Sequence, residues 1–438
     1  MKLKILHLAP HLGGGAGNAI KTFVLADSQS NNHLITSLDV NKTHIDKKLN
    51  VLDDMYNNIS QLMCLIEESD IVILHWWNHP MTFDLLLNCK LPECRLVMWS
   101  LASCLYPPYV HSEKLLKFSD RFVFTSPVSY DSKEIKKLPI EQKEKLDMIW
   151  ASGNFNIFDN IDKKEHSNFI VGTIIGSADY SKLSRDFIKI CTLTKNPNIK
   201  FVIICSEIFA NQLLDDIDSE GVGDKVTLYT NVSDITFYLS MFDVFSYPLQ
   251  PYHFGTCEIA LGEAMRCSIV PVVFNNPTES YIVDHGVNGF VANTIDEYIN
   301  YIEYLYNNPK IRFEMSQAAF QSAKELYSIE IELSKWHEQF KYLMSISKTF
   351  RNWEGVSDDF VIFTGSVLFA ESLGDYGNIF YDDMDKTTSN TLKKIKILFD
   401  SNPQWYSDNK GGIKQYLRQF PEDVFLQRWS KLVEVKND

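Results

Sequence analysis

A chain of 438 residues exceeds what one hydrophobic core sustains and leaves room for two α/β domains and an extension. Its hydrophobic fraction of 45% and charged fraction of 22% are those of a globular protein, not of a disordered or fibrous one. A formal net charge of −14 and a pI near 5.3 set up a field that repels nucleic acid, while a local basic groove facing a diphosphate stays compatible with it.

The first ten residues, Met1 to Pro10, combine two lysines with a short apolar run, and His11 and several glycines follow at once. A secretory signal would need a longer apolar core and a cleavage site, and no stretch reaches the roughly 18 apolar residues of a spanning helix. The eight cysteines are scattered without a C-x-x-C pair, the pattern of reduced thiols in a cytoplasmic protein. Short β-branched runs at 5–9, 34–38, 71–77, 96–101, 122–126 and 148–151 read as buried parallel strands. Helices are expected between them, at 16–30, 58–69, 80–89, 112–119 and 129–145. The alternation predicts βαβ units in a doubly wound sheet.

A polar stretch from Asn160 to Asn168 interrupts the pattern and sets the expected domain boundary. Strands then recur at 169–176, 200–205, 226–230, 244–247, 270–274 and 289–292. Helices are expected at 183–195, 208–220, 234–242, 258–267 and 278–284. Three further helices follow at 295–307, 309–326 and 329–345. The expected division is therefore a Rossmann-like domain over 1–160, a second over 161–346 with closing helices, and an extension over 347–438. The extension holds an expected helix at 389–400 and several large aromatics: Trp353, Phe360, Phe363, Trp405 and Trp429. These read as core covering the domains, with an acceptor-side lip or a dimer contact as the alternatives.

Three segments carry candidate chemistry. Pro10-His11-Leu12-Gly13-Gly14-Gly15-Ala16-Gly17-Asn18 lies between the first strand and the first helix. Glycines there let a backbone approach a phosphate or sugar, and the helix start offers free N–H groups. A bland βα turn would need only one glycine. The second segment, Gly172 to Lys182, places Gly176 at a strand end and Lys182 at an expected helix start. It reads either as a diphosphate contact or as a surface lysine. The third runs from Tyr247 to Cys267: a strand, a Pro/Gly loop and a helix beginning near Glu258. Backbone amides at Thr256 to Ile259 would meet a phosphate, and a carboxylate at Glu263 would accept two hydroxyls of a ribose. A structural alternative makes Glu258 a helix-start charge and Glu263 a surface residue. Two D-x-D patterns, Asp216-Ile217-Asp218 and Asp383-Met384-Asp385, fall in a helix pattern and an acidic loop, so neither metal nor other cofactor is expected.

With Phe254-Gly255, Glu263-Ala264-Met265, Pro271-Val272-Val273, Glu279 and Asp284-His285-Gly286-Val287-Asn288-Gly289-Phe290 in place, the chain resembles the retaining GT-B glycosyltransferases grouped as glycosyltransferase family 4. The resemblance covers about residues 1–345. It implies two Rossmann-like domains facing across a cleft and transfer of a sugar from a nucleotide-sugar donor, with retention of configuration and without a metal. The acceptor would be a carbohydrate or a lipid-linked molecule in surface polysaccharide or glycolipid synthesis. Peripheral contact with the inner face of the membrane is compatible with this, although no clearly basic amphipathic helix points to it. The sequence assigns no oligomeric state.

Carried over position by position, the resemblance gives Lys182 the donor diphosphate and Glu263 the ribose. Gly14, Gly15, Gly176, Gly255, Thr256, Cys257 and Ile259 would lie along the donor, and Ser206 and Val232 near its base. The family pairs two glutamates with seven residues between them, but the position eight before Glu263 is Gly255. Glu258 then supplies the first carboxylate, or His253 takes part of its sugar contact. Many relatives carry a histidine where Leu101 stands, leaving His75 or His79 to fill that role. Asn18, His79 and Trp99 are the expected acceptor-side residues. Other readings are a weak or inactive homologue acting as scaffold or partner subunit, and a GT-B nucleotide-sugar epimerase.

Overall fold

The computed structural model describes residues 2–41, 45–153, 155–159, 161–176, 180–207, 210–232, 234–353 and 364–433. The chain divides into two compact units, Met1–Ala151 with Glu330–Asp438, and Ser152–Ile329.

The first unit contains β1 (Lys4–Ala9), β2 (Asn32–Ser37), β3 (Val51–Leu52), β4 (Ile71–Trp76), β5 (Leu91–Cys94), β6 (Leu96–Ser100), β7 (Arg121–Phe124) and β8 (Leu146–Met148). Seven of these form one parallel sheet in the order β3-β2-β1-β4-β6-β7-β8. Every residue of β4 and β6 is buried, which is why these strands read as continuous apolar runs. The expected helix over 129–145 is instead a 3-10 turn at Pro127–Asp131 and two short helices, Lys133–Lys137 and Ile140–Lys143. Pro139 lacks an N–H and pushes Leu138 out of the helical region, so one helix cannot run through. Ser132 instead caps a new start, its hydroxyl accepting from the Ile135 N–H.

The second unit carries β9 (Phe169–Ile174), β10 (Ile199–Cys205), β11 (Val226–Thr230), β12 (Val244–Tyr247), β13 (Val270–Phe274) and β14 (Phe290–Ala292). Its parallel sheet runs β11-β10-β9-β12-β13-β14, with the order reversing between β9 and β12. Helix Ile295–Asn307 is pinned to this sheet by Tyr298, whose hydroxyl donates to the Val272 carbonyl at 2.5 Å and lies 2.9 Å from Ser246 Oγ. The helix expected at 183–195 starts only at Asp186, leaving Lys182 in the preceding turn.

Two expected boundaries move. The chain passes into the second unit at 151/152, because the polar stretch belongs to that unit: Lys163 Nζ donates to the Leu239 and Phe242 carbonyls, and the Lys164 N–H to that of Ser240. At the far end, residues 330–438 rejoin the first unit. β15 (Thr349–Arg351) pairs antiparallel with β5, and Trp336 packs against Trp99 and Phe23. The extension proper is a helical cluster docked by directed bonds. Tyr109 Oη donates to the Lys410 carbonyl (2.6 Å), Tyr416 Oη to Asn78 Oδ1 (2.5 Å), and Trp405 Nε1 to the Pro107 carbonyl (3.3 Å). Trp353, Trp405 and Trp429 are all core residues; Phe360 and Phe363 lie outside the described residues. At the centre of the cluster Asp383 is buried and accepts from Trp429 Nε1 (3.0 Å), Thr391 Oγ1 (2.9 Å) and Arg428 Nη1 (3.2 Å). Replacing it strands the buried Trp429 Nε1 and takes an acceptor from Thr391 and Arg428, which keep the Thr388 carbonyl and Thr387 Oγ1, so Asp383→Ala should destabilise the protein by about 2–4 kcal/mol in a denaturant titration. A change below about 0.5 kcal/mol would contradict its central place.

Candidate active site

In an open α/β sheet, ligands bind outside the carboxyl ends of the strands where the strand order reverses. In the second unit that point lies between β9 and β12, and the loops leaving these strands carry the candidate residues. β12 ends at Tyr247, and residues 248–258 lead to helix Ile259–Arg266. The cap of that helix, Glu258, has φ +35° and ψ +63°, a left-handed conformation that a residue with a Cβ adopts only when its surroundings impose it.

Those surroundings are polar bonds on every side. Glu258 Oε2 accepts from Lys182 Nζ at 2.8 Å and from Tyr247 Oη at 2.7 Å. Tyr327 Oη donates to the carbonyls of Cys257 (2.6 Å) and Glu258 (3.3 Å), fixing the turn from below. His253 sits between two carboxylates, with Nε2 3.1 Å from Glu279 Oε2 and Nδ1 3.7 Å from Glu258 Oε1. In the neutral ring Nδ1 accepts the Gly255 N–H at 3.0 Å, and the ring proton lies on Nε2, toward Glu279. Asn276 Nδ2 donates to Glu279 Oε1 and Thr278 Oγ1 to the Gly255 carbonyl, closing the network.

Gly255 is required for this arrangement. A Cβ there would stand 1.6 Å from Glu258 Oε1 and 2.8 Å from His253 Nδ1, so the Glu258 carboxylate occupies the space where a side chain at 255 would begin. The electrostatics follow from burial and pairing. Burial alone would raise the Glu258 carboxyl, but Lys182 and His253 outweigh it and hold the pKa below the usual value. Burial, then Glu258, pushes the Tyr247 phenol well above its ordinary range. For His253 burial opposes charging, while the Glu279 and Glu258 carboxylates outweigh it and raise the pKa. Glu263 has no such partner, and burial pushes its carboxyl up to about 7. One oxygen stands out: Glu258 Oε1 is buried and accepts no hydrogen bond.

The remaining donor-side candidates have varied settings. Gly176 is exposed at the end of β9 with open space around it, and residues 177–179 lie outside the described residues. Ser206 and Val232 follow β10 and β11, where Asn231 Nδ2 bonds Glu207 Oε2 at 2.7 Å. Thr256 and Cys257 are buried in the loop and Ile259 opens the helix. Asp216, of one D-x-D pattern, lies in helix Ala210–Ser219 and accepts from Tyr180 Oη; Asp383, of the other, is the core residue described above. No group of three potential metal ligands occurs among the described residues.

In the first unit, Gly14 (φ +66°), Gly15 and Asn18 are exposed at the start of helix Gly14–Asp27. His79 caps helix Pro80–Asn88, its Nδ1 accepting the Met81 N–H, and lies near His11, which contacts Trp77 edge-on. The expectation for His75 and Trp99 needs correction. Both side chains are fully buried, His75 packed against Trp99 and Trp99 against Trp336. His75 Nε2 instead joins a buried chain, 3.0 Å from His7 Nδ1; His7 Nε2 lies 2.9 Å from His33 Nδ1, and His33 Nε2 2.9 Å from Asp27 Oδ2. His337 bonds the other Asp27 oxygen at 2.7 Å. Sequence reasoning missed this chain and the part of Tyr327, whose partners come from distant elements, and also the nearer bonds of Tyr247 to Glu258 and Asn276 to Glu279, which no local pattern marks.

Residues 156–322, nearly the whole second unit, match the family described as Glycosyl transferases group 1. No curated protein matches the sequence. Among solved structures, a glycosyltransferase from Rickettsia africae superposes with a TM-score of 0.62 at 13% identity, over 78% of this chain and 99% of its own. Anabaena Alr3699/HepE in complex with UDP superposes at 0.59 and 16%, over 78% and 100%. Sucrose-phosphate synthase from Thermosynechococcus elongatus does so at 0.62 and 12%, over 78% and 100%. The two parallel-sheet Rossmann-like units are thus the GT-B fold, the architecture of glycosyltransferases. The second of them is the part that matches the group 1 glycosyl transferase model.

Burial holds His75, His79 and His111 neutral in the folded chain, with pKa values lowered to about 3, and His7 is lowered in the same direction. The unfolded chain binds those protons near pH 6.5, so the stabilisation is complete above that pH and is lost as pH falls toward 3. Melting temperature should therefore drop between pH 7 and pH 5. A flat profile over this window would contradict the buried neutral rings.

Proposed function

We propose that the protein is a glycosyltransferase moving a sugar from a nucleotide-sugar donor to a carbohydrate or lipid-linked acceptor, with retention of configuration and without a metal. Its setting would be bacterial surface polysaccharide or glycolipid synthesis, in the cytoplasm at the inner face of the membrane. Among the described residues no helix is long and apolar enough to cross a membrane. The observation that carries the donor reading is the buried Glu258 Oε1 without a hydrogen bond, beside a lysine at the strand-order reversal. A buried carboxylate oxygen left unpaired costs free energy that a sugar hydroxyl would recover.

In this reading Lys182 and the backbone at Thr256–Ile259 neutralise the donor diphosphate, and its charge on departure is stabilised by the same groups. Glu258, oriented by Tyr247 and Lys182, accepts from the sugar; His253, held by Glu279, contributes beside it. Glu263 takes the ribose hydroxyls, and Gly176, Ser206 and Val232 flank phosphate and base. The UDP held by the Anabaena neighbour makes UDP the first nucleotide to try.

A thermal-shift screen against UDP, GDP, ADP and CMP, alone and as sugar conjugates, should give a shift of several degrees with one diphosphate class, because a ligand of the native state stabilises it by mass action. Lys182→Ala should weaken nucleoside diphosphate binding about tenfold or more while changing nucleoside binding little. The ionised Glu263 accepts from two hydroxyls, and more strongly than the protonated acid, so nucleotide affinity should rise as pH passes upward through about 7, and Glu263→Gln should abolish that rise. No shift with any nucleotide would contradict donor binding and favour a partner subunit or scaffold.

A further inference from the structure

The second unit has another concave site, on the side of its sheet away from the strand ends just described. A cavity of about 700 Å³ is formed by segments that enter β9, β12 and β13, and so lies at their amino ends. Among the described residues its walls carry Lys163, Lys164, His166, Arg266 and Arg312 against a single carboxylate, Asp243. Five basic side chains around one cavity are unexpected in a chain of net charge −14.

Their partners show which charges are already spent. Arg266 forms a bidentate pair with Asp159, and His166 Nε2 lies 3.6 Å from Asp243 Oδ2, which also accepts the Ile170 N–H. The other three make no ion pair with any described carboxylate. Lys163 has an exposed stem, but its ammonium turns inward to the carbonyls of Leu239 (3.4 Å) and Phe242 (3.2 Å). Desolvation there lowers its pKa to about 8, so at neutral pH it still carries its charge. Lys164 Nζ rests 3.6 Å above the Phe237 ring, and the Arg312 guanidinium 4.8 Å above Phe169 with one N–H on the Leu305 carbonyl. Carbonyls and ring faces orient cations without neutralising them. Phe313, 65% exposed, and Phe320 add apolar wall beside these charges.

We propose that this cavity binds a phosphate-bearing small molecule, at a site separate from the donor site. Lys163, Lys164 and Arg312 take the phosphate, and Phe313 and Phe320 take an apolar or planar body. Arg266, which lines the cavity, ends the helix whose other end is capped by Glu258. Eight residues of helix put the two sites on the order of 12 Å apart along its axis, close enough for the ligand to act as an effector.

Calorimetry of the full chain with inorganic pyrophosphate, in about 0.15 M salt so that diffuse attraction is screened, tests the proposal. Wild type and Lys182→Ala should bind pyrophosphate at this site alike. Lys164→Ala with Arg312→Ala should lose at least tenfold in affinity; Lys164→Ala alone, at an exposed side chain, should also lose affinity while melting like wild type, which separates loss of the site from the packing lost with the half-buried Arg312. No binding to wild type, or binding lost in Lys182→Ala and kept in the double variant, would overturn it. The phosphate's carrier is settled by sedimentation with vesicles of phosphatidylcholine and phosphatidylglycerol. Pelleting of wild type but not of the double variant assigns a lipid headgroup to the site. Pyrophosphate binding with no pelleting assigns a soluble ligand.

Discussion

An ionised carboxylate with 1% of its side-chain surface exposed is expensive unless each oxygen is compensated, and Glu258 accepts hydrogen bonds on one oxygen only. Lys182 and Tyr247 hold Oε2, while the glycine at 255 leaves the space into which Oε1 reaches. Much of the second unit's carboxyl edge is spent on keeping this group in place. The left-handed turn at Glu258, the hydroxyl of Tyr327 beneath it and the His253–Glu279 pair beside it all serve the same position. Such a concentration of strain and buried charge is characteristic of binding sites and makes little sense as packing.

The first unit solves a different problem with similar materials. Four histidines and Asp27 form a chain of ring and carboxylate contacts, with Asp27 accepting from Asn31 and bonding His33 and His337. Burial raises the Asp27 carboxyl, and those bonds outweigh it, holding it below the usual range. Because His337 lies on helix Ile329–Ser345, the chain ties the late part of the sequence to the first sheet. The tyrosine and tryptophan bonds from residues 405–416 extend that attachment to the loops after β4 and β6.

How far the sequence shows all this depends on the range of the interaction. Buried parallel strands were legible because a strand covered on both faces is mostly apolar, as β4 and β9 are, with His75 and Thr173 the polar residues among them. The helix starting at Ile259 was legible too, from the loop and the Glu-Ala-Met pattern. Proline chemistry was available for 127–145 but hidden by the helical spacing of the apolar residues around Pro139. The site failed to be legible where partners come from afar. Lys182 and Glu258 are separated by 76 positions yet share one hydrogen bond, so they carry one joint charge balance where the sequence suggested two independent contacts. His75 looked like a cleft residue for want of its partner His7, 68 positions earlier. The basic cavity gave no signal at all, since its cations come from three separated segments, each ordinary alone.

In the proposed function the unpaired oxygen of Glu258 accepts a hydroxyl of the donor sugar. The most direct test of this contact is calorimetry of wild type and Glu258→Gln with a nucleoside diphosphate and with the matching nucleotide sugar, which isolates the coupling between this side chain and the sugar. Wild type should gain affinity from the sugar and Glu258→Gln should lose about tenfold of that gain, each gain being measured against the same protein's affinity for the nucleotide alone, because the substitution also releases Lys182. An equal gain from the sugar in both proteins would contradict the contact.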